Sequence, residues 1–310
     1  MNYINQRTAF GETLLSLGQT NNSIVVLDAD LGASTMGMLF EKAYPERHFE
    51  MGIAEANMVS VAAGLALAGK MPFVSSFAVF ASGRAFDQIR QSVCISKLNV
   101  KIIGSSAGLS DFGDGATHQS VEDIAIMRAL PNMTVICPAD ANEIVSATKA
   151  IAEFNGPVYL RINRNDYENV TAEGADFVIG EPTVLREGSD VAVFATGITV
   201  GMALQAAEEV KNRISVKVIN VSTIKPLDTA KITALATNCR AVVCAEEHSI
   251  IGGLGGAIAE AMRRTPKPME FVGIEDVYGC SDHNYGKLLE HFGITAKNIA
   301  ETIFKMEGVK

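Results

Sequence analysis

The stretch Glu50-Met51-Gly52-Ile53-Ala54-Glu55-Ala56-Asn57-Met58 leads into an almost wholly apolar run, Val59 to Ala68, which is followed by Phe73-Val74-Ser75. Only Ser60 and Gly64 interrupt the run, so it reads as a helix buried on most sides. Glu55 stands in the first turn, where the helix dipole tolerates negative charge. Beside such an apolar helix a carboxyl group is a candidate for desolvation, which raises its pKa and makes the protonated form available near neutral pH. A glutamate that merely satisfies a helix N-terminus fits the same residues, and the choice between the two readings rests on the rest of the chain.

Outward from this stretch the pattern repeats. Ile24-Val25-Val26-Leu27-Asp28 reads as a buried strand ending in an acid. Val100 to Ile103, Thr134-Val135-Ile136 and Val158-Tyr159-Leu160 are further short apolar runs. Helical patterns separate them, at residues 6 to 19, around Ile89, and from Asn142 to Ala152. Strand alternating with helix implies a parallel sheet covered on both faces, with right-handed crossovers and ligands at the carboxyl ends of the strands. Residues 165 to 189 turn polar and turn-like, and read as the linker and the entry to a second domain. The alternation then restarts, with strands at Asp190 to Ala195, Val216 to Ile219, Ala241 to Cys244 and Phe271 to Ile274. Helices are expected at Thr199 to Lys211, Leu254 to Met262 and Ala296 to Phe304. The expected fold class is α/β with two doubly wound domains, residues 1–170 and 186–310.

Composition narrows the function. The net charge of −9, with no basic cluster, argues against nucleic acid and membrane surfaces as partners. Met1 to Arg7 has no signal-peptide pattern, and no apolar run is long enough to span a bilayer. Cys94, Cys137, Cys239, Cys244 and Cys280 lack CxxC spacing and read as reduced thiols of a cytoplasmic protein.

The densest polar loop, Gly104 to Gln119, follows the strand at Val100. Its glycines permit close backbone approach to a ligand. His118 and Asp114 add a titratable pair. A connection of this length is more often functional than a plain surface loop. No lysine follows the glycines as in a P-loop, and no GxGxxG opens the first strand–helix turn. Phe77 and Phe80, at i and i+3 on a helix, share a face that suits either core packing or a flat heterocycle. Gly252-Gly253-Leu254-Gly255-Gly256, after Glu246-Glu247-His248, is open to two readings, a phosphate loop or close helix–strand packing.

Taken in order, the Glu55 stretch, the Phe77/Phe80 pair, Gly113-Asp114-Gly115-Ala116-Thr117-His118-Gln119, Leu130-Pro131-Asn132 and Pro138 to Glu143 resemble the carboxyl-terminal half of transketolases. Ala195-Thr196-Gly197, Lys225-Pro226-Leu227-Asp228 and Gly252 to Gly255 extend the resemblance over essentially the whole chain. It implies a pyrimidine-binding thiamine-diphosphate domain with a parallel sheet, then a C-terminal domain with a mixed sheet. It also implies a separate N-terminal subunit holding the diphosphate and magnesium, an α2β2 assembly, and transfer of a two-carbon ketol unit from a ketose to an aldose.

The resemblance assigns roles as well. Glu55 would hydrogen-bond the ring nitrogen of the aminopyrimidine and favour the tautomer that removes the thiazolium proton. Phe77 and Phe80 would pack on the pyrimidine. Asp30 and Leu31 would lie close to the cofactor from the partner protomer. His118 and Asp114 would contact the hydroxyls of the ketose donor. Arg7, Ser34 and Arg164 stand where the family holds a sugar phosphate, and Ser106 stands at the family's histidine position, keeping a donor but losing a possible cation. The beta chain of a 2-oxo acid dehydrogenase decarboxylase component shares the architecture and the glutamate, but not the loop ending Thr117-His118-Gln119. A deoxyxylulose-phosphate synthase fragment and a non-catalytic subunit of the same fold are the remaining alternatives.

Overall fold

The computed structural model describes residues 3–308. The first half carries β1 (Tyr3–Asn5), β2 (Ile24–Asp28), β3 (His48–Glu50), β4 (Met71–Phe77), β5 (Lys101–Ser105), β6 (Thr134–Ile136), β7 (Val158–Arg161) and β8 (Asp166–Glu168). The second carries β9 (Thr183–Arg186), β10 (Val191–Ala195), β11 (Val216–Asn220), β12 (Thr223–Lys225), β13 (Ala241–Ser249) and β14 (Met269–Ile274). Both halves are α/β.

The first sheet has the order β12-β6-β7-β5-β4-β2-β3. All its neighbours are parallel except β12, which pairs antiparallel with β6. Strand residues alternate between two cores, as a period of two requires. Val25, Leu27, Val74 and Ile102 pack with Met58, Val59, Ala62 and Ala63 of the helix Glu55–Leu67. Ile24, Val26, Phe73 and Ile103 pack on the other face with Phe10, Leu14 and Ile144. Burial on both faces explains why these strands read as continuous apolar runs.

The second sheet has the order β14-β13-β10-β11-β9, parallel except for β9 against β11. It is therefore mixed. Val191, Val193 and Val218 meet Val200, Ala203 and Ile299 on one face, and Phe194, Ile219 and Val242 meet Ile232, Leu254 and Ile258 on the other.

Several features differ from the sequence reading. The stretch 165 to 189 is not only a linker, because β8 pairs with β1 and β9 forms the edge of the second sheet. The chain of the second half also returns to the first, supplying β12 to its sheet edge. The helix Glu55–Leu67 is not buried on most sides. Leu67 is 75% exposed, Val61 is exposed, and a side chain built at Gly64 would meet nothing. The apolar run is thus one core-facing stripe and one bare apolar stripe. No helix among the described residues is long and apolar enough to cross a membrane.

Buried polar contacts join the halves. Glu247 on β13 accepts from the Leu109 backbone N–H at 2.8 Å, the Tyr285 hydroxyl at 2.7 Å and the Asn163 side chain at 3.1 Å. Burial pushes its carboxyl up to about 7, against the opposing pull of Arg161 and these three donors. Folding therefore raises its affinity for a proton above the unfolded value of 4.5. The associated stability is fully present below that value and is lost as pH rises through about 7. Denaturant unfolding of the wild type and of Glu247→Gln, compared from about pH 5 to about pH 8, should give a steeper decline for the wild type. Parallel curves would remove Glu247 as the source of the slope.

Candidate active site

Glu55 opens its helix with no side-chain cap from Ala54, and its carboxylate is only 3% exposed. It lies beside the carboxyl end of β4, where Ser76 Oγ donates to Oε1 at 3.4 Å. Arg84 supplies a positive partner, its Nη1 lying 3.1 Å from Oε1 and 3.3 Å from Oε2. The sequence reading had a carboxyl without a counterion.

Phe77 and Phe80 do not sit on one helix. Phe77 ends β4 and Phe80 begins the π-helical turn Phe80–Arg84. Their rings nonetheless stack, with centroids 6.0 Å apart and planes 16° from parallel. The wider π turn brings the Arg84 guanidinium over the Phe80 ring, 4.0 Å from its centroid. The His118 ring meets both phenylalanines edge-on, at 6.2 and 5.3 Å. Together Ala29, Asp30, Leu31, Ile53, Glu55, Phe80, Arg84, Thr117 and His118 enclose a cavity of about 300 Å³.

The strand ends that shape this cavity are fixed by carboxylates. Buried Asp28 accepts from Thr35 Oγ1 at 2.8 Å and meets His48 Nε2 at 2.9 Å. That hydrogen bond raises the His48 pKa in spite of partial burial. Any side chain at Gly37 would collide with the Asp28 carboxylate. Glu50 Oε1 accepts from the backbone N–H of both Asp30 and Gly52 at 2.8 Å, and Asp30 takes a positive φ of 60°. Asp30 and Leu31 were expected to reach the site from a partner protomer. They line the same cavity as Glu55, within one chain.

A second cluster adjoins the first. Arg7 Nη1 donates to the Ser34 carbonyl at 2.8 Å. Asn5 joins the two arginines, accepting from the Arg7 backbone N–H at 2.9 Å and donating to the Arg164 carbonyl. Burial and the nearby Arg164 charge lower the Arg7 pKa. Arg164 Nη1 is paired with Asp111 Oδ1 at 2.7 Å. Asp111 is charge-coupled in turn to Asp114 and His118. Arg7, Ser34 and Arg164 thus come together, and Asp111 links them to the His118 side of the site. Ser106 lies fully buried on the adjoining loop at a φ of 51°, and its hydroxyl has no partner among the described residues. Asp114 is exposed at the start of the short turn Gly115–Thr117, and Thr117 Oγ1 contacts His118 Nδ1 at 2.9 Å.

The loop glycines serve packing more than ligand approach. Side chains at Gly104, Gly108 and Gly115 would collide with Tyr159, Glu247 and Ser281, while only Gly113 has open space. The stretch Gly252–Gly256 resolves in the same way. Glu246 places its own carboxylate on the helix N-terminus, accepting from Leu254 N at 2.6 Å and Gly255 N at 2.9 Å, so an anion site there is already filled from within the chain.

Arg84 and Asp111 are site residues that the sequence reading missed. Arg84 is signalled only as a lone cation in the mostly apolar run after Phe77, and Asp111 only as an acid two residues before Gly113. A buried carboxylate at the inner end of an aromatic-walled cavity suits a flat, basic heterocycle, so the pyrimidine end of thiamine diphosphate fits these residues. Among the described residues no group of three or more His, Cys, Asp or Glu side chains could hold a metal ion.

Residues 2–169 match the family described as transketolase, pyrimidine binding domain, and residues 180–299 match transketolase, C-terminal domain. The chain is 43% identical to the 6-deoxy-6-sulfo-D-fructose transketolase subunit SqwH of Clostridium sp. (strain MSTE9), over 94% of this chain and 91% of that one. It is 35% identical to one of the apulose-4-phosphate transketolase subunits of Phocaeicola vulgatus, over 97% of each. Its fold matches a solved structure described as a split gene transketolase, inactive beta4 tetramer, with a TM-score of 0.90, 45% identity and complete coverage of both chains.

The Glu55–Arg84 pair can be measured directly. Arg84→Gln leaves a buried carboxylate without its cation and should destabilise the chain more than Glu55→Gln does. Because Arg84 is half exposed, a double-mutant cycle by urea unfolding should return a coupling of about 1 kcal/mol. Strict additivity would show that the pair contributes nothing.

Proposed function

This chain belongs to the transketolase family, and from that premise we propose that it is one subunit of a split, thiamine-diphosphate-dependent transketolase. It works with a separate N-terminal subunit that holds the diphosphate and magnesium, in an α2β2 assembly. The reaction moves a two-carbon ketol unit from a ketose to an aldose acceptor. The observation that carries the proposal is Glu55, buried at the inner end of a cavity walled by Phe80 and edged by His118.

When bound, thiamine diphosphate supplies a carbon nucleophile and an electron sink for the transferred unit. The residues of this chain do the rest. Glu55 shares a proton with the pyrimidine ring nitrogen, and its four lone-pair sites leave room beside Arg84 for that contact. Phe77 and Phe80 fix the plane of the ring. Asp30 and Leu31 form the wall next to it. His118 and Asp114 orient the donor hydroxyls, and the ring edges of the two phenylalanines hold the imidazole in place. Arg7, Arg164 and Ser34 receive the far end of the sugar, with Ser106 buried on the adjoining loop. Two relatives named for a sulfonated and a phosphorylated sugar support an anionic group at that end. Two guanidinium groups suit such a group.

The test begins with reconstitution. The chain, used as bait with thiamine diphosphate and magnesium, should recover a stoichiometric partner carrying the diphosphate-binding motif. A chain that self-associates, recovers no partner and binds no cofactor would count against the proposal. In the reconstituted enzyme, Glu55→Ala should reduce ketol transfer by at least about 100-fold while assembly by size exclusion stays unchanged. Near-normal turnover would remove Glu55 from its role. Ser106→His should change the KM values among phosphorylated sugars, and constancy for every sugar would place Ser106 outside the pocket.

A further inference from the structure

The cluster assigned to the far end of the sugar contains a charge that does not belong in a simple anion clamp. Asp111 is only 2% exposed, and its Oδ1 holds the Arg164 guanidinium at 2.7 Å. Its Oδ2 is buried and has no hydrogen-bond partner among the described residues. Burial and the neighbouring Asp114 charge raise the Asp111 pKa, with Arg164 and His118 opposing them. Arg7 and Arg164 supply two positive charges and Asp111 removes one. The other charged groups around them are Asp114 and His118 on the Asp111 side and Asp166 on the Arg7 side. Asp114 and Asp166 are exposed, so water screens them, while Asp111 acts at short range in a poorly solvated place.

We propose that Asp111 sets the charge preference of this end of the site, so that it takes a ketose whose terminal group carries one negative charge in preference to a doubly charged phosphate ester. Asp111 is too buried to touch the sugar and acts through Arg164, as a positioning and charge-balancing residue. A doubly charged terminus would gain from two arginines but would also be repelled by the buried carboxylate, whereas a singly charged terminus matches the single net charge. This inference rests on the assignment of Arg7 and Arg164 to the sugar terminus made above.

The experiment compares wild type with Asp111→Asn, which keeps the shape and the oxygen facing Arg164 but removes the charge. The reconstituted enzyme is assayed with fructose, 6-deoxy-6-sulfofructose and fructose 6-phosphate as donors, which differ chiefly in terminal charge. In Asp111→Asn the ratio of kcat/KM for the phosphate to that for the sulfonate should rise about tenfold or more, mainly through KM. A purely structural role would lower all three donors together and leave the ratio unchanged, and that result would overturn the proposal. Absence of turnover with any donor would instead count against the ketol-transfer reading.

In that case the charge preference is still measured on the chain itself, through the affinities of methyl phosphate and methanesulfonate at about pH 8, where the phosphate is doubly charged. The variant should again shift the ratio about tenfold toward the phosphate. If the variant does not fold, the wild type alone decides. Its affinity for methyl phosphate should not increase as the second ionisation, near pH 6, is completed. A tenfold increase across that ionisation, with methanesulfonate unchanged, would overturn the proposal.

Discussion

Arg161 is the side chain on which the geometry of the site depends. It is 5% exposed, so its guanidinium must find all its partners inside the protein. Nε donates to Asp123 Oδ2 at 2.8 Å, and Nη2 donates to the carbonyls of Ser120 at 3.3 Å and Glu247 at 3.0 Å. Asp123 also accepts from the Tyr159 hydroxyl at 2.7 Å. Burial pushes the Asp123 carboxyl up, but Arg161, His248 and Tyr159 together hold it below its ordinary value. Removing one member of such a buried pair typically costs about 3–5 kcal/mol, because the other is left without a counterion. Ser120 closes the loop that carries His118, and Glu247 clamps the same loop at Leu109. One guanidinium therefore fixes the two halves of the chain relative to each other and, through them, the reach of His118.

The clamp explains which features were legible in the sequence. β2, β7 and β10 are buried on both faces, so their burial is written as largely apolar runs, while β5 holds the buried Lys101 within the same pattern. β9 and β12 have no such signature. They are three or four residues long, and each lies at a sheet edge where pairing depends on a distant strand. The helix after Glu55 was legible as a helix but not in its exposure, because an apolar stripe facing solvent and one facing the core use the same residues. The site divides in the same way. Glu55, Phe77, Phe80 and His118 were identifiable by residue type and motif. Arg84 and Asp111 were not, since what makes each of them a site residue is a counterion 29 or 53 positions away. Ion pairs across such separations have no local pattern. The glycines of the Gly104–Gln119 loop point the same way, for what they make room for is Tyr159 and Glu247, brought there by tertiary folding.

The two clusters of the site handle charge by the same physical means. Each places a half-exposed or partly exposed arginine against a carboxylate that is almost fully buried, Arg84 with Glu55 and Arg164 with Asp111. In both, the arginine compensates a charge that the fold has removed from water, and so neither arginine acts as a free cation toward a ligand. A ligand group that approaches Arg84 or Arg164 meets a dipole whose negative end is fixed by the core, and its own charge must be weighed against that end.

On the proposed split assembly, the surroundings of the cavity offer the second chain a place to bind. Ile53, on its wall, is 73% exposed, and the bare stripe of the Glu55 helix, with Val61 and Leu67, leaves further apolar surface on the same segment of chain. A partner that carries the diphosphate end of the cofactor would have to approach this open side, since the inner side is closed by β4 and the π turn. Covering Ile53 would then close the open side of the cavity in front of the already buried Glu55. Cofactor binding, association of the two chains and activation of the carboxylate are accordingly expected to be coupled in this protein.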